Sequence, residues 1–320
     1  MSLQQLESYT FTEKKDTRSG FGKAMYHLGE TNEKVVALCA DLTGSLKLND
    51  FAKNHPDRFF QAGIAEANMI GVAAGLTIGG KIPFATTFAN FATSRVFDQV
   101  RQSVAYSEKN VKIAASHSGL TLGEDGATHQ VLEDMAMMKA LPHMTVICCA
   151  DYNQTYEATL AVADFEGPVY LRFGRPKMPV FMPTGNFEIG KAVHLAEGTD
   201  LTIVSTGHLV WESIEAAKEL ENQGISVDLL NIHTIKPLDS EAILKSAKKT
   251  GAVVVAEEHQ KLGGLGGSVA QVLAEHHPTK MGFVAVNDQF GESGTPDQLM
   301  QKYGIYRSNI VEVGMALVNK

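Results

Sequence analysis

Cysteine is scarce in this chain. Cys39, Cys148 and Cys149 are the only three in 320 residues, and each lies in an apolar, strand-like run. Cys148 and Cys149 are adjacent and would point to opposite faces of a strand, so neither a disulfide framework nor a cysteine metal site is expected. A reducing cytoplasm fits that usage. Long hydrophobic runs are missing too. The longest candidate, 69–80, is rich in Gly and Ala and ends at Lys81, which is too short for a membrane span. The opening MSLQQLESYTFTEKKD has no apolar core of the secretory kind. Positive charge is not in surplus: 28 Lys and Arg stand against 36 Asp and Glu, a net charge of −8. That balance favours solubility and gives no footprint for nucleic acid.

What is there is an ordinary globular composition, 44% hydrophobic and 20% charged, in a chain long enough for two domains. Short β-branched runs at 34–40, 111–115, 145–149 and 169–173 alternate with helix-like stretches near 65–78, 92–107, 129–140 and 153–164. The alternation predicts βαβ units with helices on both faces of a mainly parallel sheet. A Pro- and Gly-rich segment, 174–190, reads as a linker. A second β/α series follows, with strands expected at 201–205, 226–230, 253–256 and 283–286. The expected division is 1–185 and 186–320.

Several stretches hold groups that chemistry can use. Glu66 opens a helix in GIAEANMIGVAAGL that is apolar almost all round and is therefore expected to be buried. A carboxylate there either complements the helix dipole or meets a ligand, and the pattern alone favours neither. Phe88, Phe91 and Phe97 in FATTFANFATSRVF read first as core; the alternative is a platform for a flat heterocycle. In SHSGLTLGEDGATHQVLED, His117, Asp125 and His129 lie across a loop carrying Gly119, Gly123 and Gly126. Such a loop at a strand end is where open α/β sheets bind ligands, and its spacing matches no common zinc signature. Arg18 opens the first helix region; Arg175, just past a strand, is either an ordinary surface charge or suited to clamp a phosphate, and Ser45 can add a hydroxyl. GGLGGS (263–268) superficially resembles a dinucleotide loop, but no strand directly precedes it, so it reads as a tight turn with close helix packing.

Five segments in this order, ADLTGS, GIAEANMIGVAAGL, TTFANFATSR, GLTLGEDGATHQVLED and GPVYLRFGRP, make the chain similar to the C-terminal half of transketolases, which are thiamine-diphosphate enzymes. The resemblance covers nearly the whole chain. It implies two three-layer α/β/α domains, a pyrimidine-binding domain followed by a transketolase C-terminal domain. It implies transfer of a two-carbon ketol unit from a ketose phosphate to an aldose phosphate, through the cofactor's ylide and a dihydroxyethyl intermediate. Glu66 resembles the glutamate that hydrogen-bonds N1′ of the aminopyrimidine and so promotes ylide formation. Phe91, with Phe88 beside it, resembles the aromatic that stacks on that ring; Phe97 receives no role. Asp125 would accept a hydrogen bond from a sugar hydroxyl, and His129 would contact the ketol end and assist proton movement. His117, Arg18, Ser45 and Arg175 would hold the distal phosphate, and Asp41 would order the loop around Ser45.

The GDG-type motif that holds Mg²⁺ and the diphosphate in full-length members is missing before Glu66. The resemblance therefore implies that this chain binds the pyrimidine end of thiamine diphosphate and supplies no metal ligand. Mg²⁺ is expected on an N-terminal transketolase subunit, within an α2β2 heterotetramer acting on sugar phosphates in the cytoplasm. The alternatives are the beta subunit of a 2-oxo-acid dehydrogenase first component, a deoxyxylulose-phosphate-synthase-like enzyme, and a non-catalytic scaffold subunit. The GEDGATHQ loop separates the sugar-phosphate readings from the oxo-acid one.

Overall fold

The structure, a computed structural model, describes residues 2–185 and 187–318. In chain order its strands are β1 (Lys14–Asp16), β2 (Val35–Cys39), β3 (Phe59–Gln61), β4 (Ile82–Phe88), β5 (Lys112–Ser116), β6 (Thr145–Cys148) and β7 (Val169–Arg172). They continue as β8 (Lys177–Pro179), β9 (Val193–Ala196), β10 (Leu201–Ser205), β11 (Val227–Asn231), β12 (Thr234–Lys236), β13 (Ala252–Gln260) and β14 (Lys280–Val286).

Seven strands form one sheet in the order β12-β6-β7-β5-β4-β2-β3. All its pairings are parallel except β12 on β6. A second sheet runs β14-β13-β10-β11-β9, parallel except for β9 on β11. Parallel strands need both faces covered, and the side chains show it. Along β2, Val35, Ala37 and Cys39 pack into one apolar cluster, while Val36 and Leu38 pack into another. Cys148 and Cys149 divide between the same two clusters, both free and buried. The cluster holding Val36 also takes Val204, Leu230 and Val255 from the second sheet. With β12 crossing to the first sheet, the two halves share a core.

The structure departs from the sequence reading in several places, among them the strand β4, which was not expected. The helix Glu66–Ile78 is half-buried, not enclosed: Met69, Ile70, Ala73 and Ala74 face the core, while Ala67, Gly71, Val72, Gly75 and Ile78 face out. Its apolar surface exceeds what this chain covers. The stretch expected as one helix over 92–107 is broken into Ala89–Thr93, Phe97–Gln99 and a π-helical turn, Val100–Tyr106. The helix expected from 129 starts only at Asp134, leaving 129–133 in the loop. The presumed linker contains β8, which pairs antiparallel with β1. No described helix is long and apolar enough to cross a membrane.

Candidate active site

The candidate residues gather at the C-terminal ends of the first sheet's parallel strands, the usual ligand edge of an open α/β sheet. Phe88 is the last residue of β4, and His117 follows the last residue of β5. Ser45 lies in the turn after β2, and Glu66 begins the helix after β3. The β1–β8 pairing sets Asp16 opposite Lys177. That draws Arg18, two residues past Asp16, toward Arg175, two residues before Lys177, and the Thr17 hydroxyl donates to the Gly174 carbonyl at 3.0 Å.

A continuous stack runs through the site. The His117 ring lies 3.7 Å from the Phe88 ring centroid, and Phe88 stacks on Phe91 at 5.8 Å and 17°. His129 meets Phe91 edge-on at 5.5 Å. The Arg95 guanidinium carbon sits 4.1 Å from the Phe91 ring centroid, a cation–π distance. Arg95 Nη1 also donates to Glu66 Oε1 at 2.9 Å. Glu66 is 3% exposed, whereas the Arg95 side chain is 48% exposed. A buried carboxylate thus faces a half-open cation across a stacking surface. Phe97, by contrast, packs against the apolar core.

At the other end the site is cationic. Arg18 Nη1 donates to the Ser45 carbonyl at 3.2 Å and Nε to Asp16 Oδ1 at 3.1 Å. Arg175 Nη1 donates to the Leu122 carbonyl at 2.6 Å and to Glu124 Oε2 at 2.7 Å. His117 is buried, with Nδ1 2.7 Å from the Ser116 hydroxyl. Burial first, then the charges of Arg18 and Arg175, pull its pKa down to about 2. The imidazole is therefore neutral at ordinary pH, inside a positive field. Burial and the nearby Arg175 charge also lower the Arg18 pKa, while the Arg175 hydrogen bond lowers that of Glu124. The two guanidinium charges are near enough to influence each other, and such groups favour an anion.

Asp125 is exposed at the tip of the turn between Gly123 (φ +93°) and Gly126 (φ +76°). His129, half-buried, lies beside Phe91 with Nδ1 3.0 Å from the Thr128 hydroxyl. In the loop before Ser45, the Asp41 N–H donates to Gln61 Oε1 at 2.6 Å and Gln61 Nε2 donates to the Thr43 hydroxyl at 3.0 Å, while Arg18 holds the Ser45 carbonyl. GGLGGS opens the helix Leu265–His276, whose first amides donate to the Glu257 carboxylate at 2.7 and 2.8 Å. Those donors, which a dinucleotide phosphate would need, are already used.

Sequence reasoning missed Arg95 and Glu124, although both lie inside segments it quoted. Their signal was charge: a lone cation after two phenylalanines, and a carboxylate beside Asp125. It also missed Glu258, which no local signal links to the loop.

Comparison with known proteins gives a consistent picture. The profile for "Transketolase, pyrimidine binding domain" matches residues 13–180, and that for "Transketolase, C-terminal domain" matches 190–310. A putative transketolase C-terminal section from Methanocaldococcus jannaschii is 44% identical over 302 residues, covering 93% of this chain and 95% of that protein. A 6-deoxy-6-sulfo-D-fructose transketolase subunit from a Clostridium species is 43% identical over 295 residues, covering 92% of each. Among solved structures, a split gene transketolase described as an inactive beta4 tetramer superposes with a TM-score of 0.89 at 48% identity. The match covers 95% of this chain and 99% of that one.

Proposed function

This chain belongs to the transketolase family, and from the site it carries we infer that it is the C-terminal subunit of a transketolase. Its reaction is reversible transfer of a two-carbon ketol unit from a ketose phosphate to an aldose phosphate. One observation carries the reading. The Arg95 guanidinium, a flat cationic N–H donor, fits between the Phe91 ring and the Glu66 carboxylate. The aminopyrimidine of thiamine diphosphate, once protonated, is also a flat cationic N–H donor, so this pocket suits it.

Thiamine diphosphate, when bound, supplies the nucleophilic carbon that attacks the ketose carbonyl. Glu66 would accept the hydrogen bond from the pyrimidine ring, and its burial strengthens that interaction with developing charge. Phe91, backed by Phe88, would give the ring its stacking surface. His129, at the edge of Phe91, would hold or move a proton at the ketol end. Asp125 would accept from a sugar hydroxyl. Arg18 and Arg175 would clamp the distal phosphate, with His117 and Ser45 as uncharged hydrogen-bonding partners.

The rest of the assignment is of the same kind. Residues 1–185 would form the pyrimidine-binding domain and 186–320 the C-terminal domain. Mg²⁺ and the diphosphate would be held by an N-terminal partner subunit in an α2β2 heterotetramer, working in the cytoplasm on pentose-phosphate-type sugars. The outward apolar face of Glu66–Ile78, with Val72 42% and Ile78 79% exposed, supports a partner there. A competition assay tests the reaction type. The chain, mixed with its N-terminal partner, thiamine diphosphate and Mg²⁺, is offered xylulose 5-phosphate with ribose 5-phosphate, or pyruvate alone. Ketol transfer without pyruvate decarboxylation is expected, and the reverse would move the assignment to the oxo-acid dehydrogenases.

A further inference from the structure

The loop carrying His117 belongs to the first half of the chain, yet groups from the second half hold its shape. Glu258, near the end of β13, is 3% exposed. Its Oε1 accepts from the Thr121 N–H at 2.6 Å, and its Oε2 accepts from the Thr121 hydroxyl at 3.2 Å. Gly119, at φ +78°, lies against the same carboxylate, and a methyl group there would collide with it. The strand end presenting Glu258 is itself fixed. Arg172 Nη2 donates to the Glu258 carbonyl at 2.9 Å, while Arg172 Nε donates to buried Asp134 at 2.7 Å. From the other side, Gln130 Nε2 donates to the Glu292 carbonyl at 3.0 Å, and Ser293 fills the space beside Gly126.

Burying a carboxylate is costly unless strong hydrogen bonds offset it. Here the bonds go to one loop residue, four positions from His117. The next carbonyl along, Leu122, receives Arg175 Nη1 at 2.6 Å. One carboxylate therefore sits behind both the turn that carries His117 and the carbonyl that aims Arg175. A directional hydrogen bond sets backbone geometry in a way that apolar packing does not.

We propose that Glu258 is a positioning residue through which the C-terminal half sets the grip on the substrate's phosphate, without touching substrate. It fixes residues 119–122, and these orient His117 and Arg175. The inference rests on the phosphate-holding role proposed above for those two residues.

The test uses the chain with its N-terminal partner, thiamine diphosphate and Mg²⁺. Donors are xylulose 5-phosphate and the unphosphorylated hydroxypyruvate, with glycolaldehyde as constant acceptor. Glu258→Ala is expected to raise KM for the phosphorylated donor about tenfold, leaving kcat and the hydroxypyruvate KM within about twofold. Glu258→Gln, whose amide oxygen still accepts from Thr121 N–H, is expected to restore most of the affinity. Gly119→Ala is expected to resemble Glu258→Ala. An equal rise in KM for both donors, or a loss in kcat alone, would overturn the proposal and leave Glu258 a support of the fold.

Wild-type inactivity toward both donors would instead overturn the proposed function. The free chain then decides the role of Glu258, by titration with inorganic phosphate followed at the His117 imidazole by NMR. Phosphate binding about tenfold weaker in Glu258→Ala sustains the proposal. Equal binding, or no response in the wild type, ends it.

Discussion

Arg95 and Glu66 are bound to each other, Nη1 to Oε1 at 2.9 Å. The guanidinium also lies over Phe91, so one cation meets both the carboxylate and the ring that the proposed function gives to the aminopyrimidine. Both cannot be there together. The half-exposed Arg95 side chain has solvent to move into, while the Glu66 carboxylate is buried. The pair sets a cation against the buried carboxylate, in the place the proposed function gives to the cofactor.

Replacing Arg95 should therefore favour the cofactor. Arg95→Met is expected to tighten thiamine diphosphate binding to the assembled enzyme about tenfold, or ~1.4 kcal/mol. The free chain should lose on the order of 1 kcal/mol of stability, because a buried carboxylate is left without its partner. Adding Glu66→Gln should recover that loss. Calorimetric titration and thermal unfolding read the two effects; weaker cofactor binding in Arg95→Met would make Arg95 a cofactor ligand instead of a competitor.

His117 makes stability depend on pH. Its folded pKa is about 2, against an ordinary 6.5, so between those values the unfolded chain binds the extra proton. Stability is fully retained only well above pH 6.5 and falls as pH drops through and below that value. At pH 5.5 the loss from this residue is about 1.4 kcal/mol. His117→Asn should lose less stability than the wild type between pH 7 and pH 5.5, by that amount. Parallel unfolding curves would show that His117 is free to protonate in the folded chain.

The outward face of Glu66–Ile78 offers a test of assembly. Gly71 is exposed, and nothing lies within 4 Å of a side chain added there. Gly71→Glu should leave the unfolding midpoint of the free chain unchanged or slightly raised, since glycine is a poor helix former. It should abolish association with the N-terminal subunit, read by sedimentation. Normal assembly would remove this face from the interface.

Much of this was legible in the sequence, for identifiable reasons. His117, Ser45 and Arg175 follow short apolar strands, and residues just past parallel strands sit at the ligand edge. The expected strands omit β4, in which Pro83 runs against the pattern of an inner strand. It is tolerated because the β4–β5 ladder begins only at Phe84. The buried-helix expectation for Glu66–Ile78 failed because hydropathy does not distinguish a surface covered by the chain itself from one left open. The Glu258–Thr121 contact spans 137 residues, and no local pattern encodes it. Arg95 was visible but meaningless until Phe91 and Glu66 were brought to either side of it.

The most direct test is turnover of xylulose 5-phosphate with ribose 5-phosphate by this chain, alone and mixed with its N-terminal partner, with thiamine diphosphate and Mg²⁺ present. Glu66→Gln is run in parallel. The account predicts turnover only in the mixture, reduced at least about 100-fold by Glu66→Gln, in line with losing a buried electrostatic contact at the reacting centre. Turnover by the chain alone, or full activity of Glu66→Gln in the mixture, would contradict it.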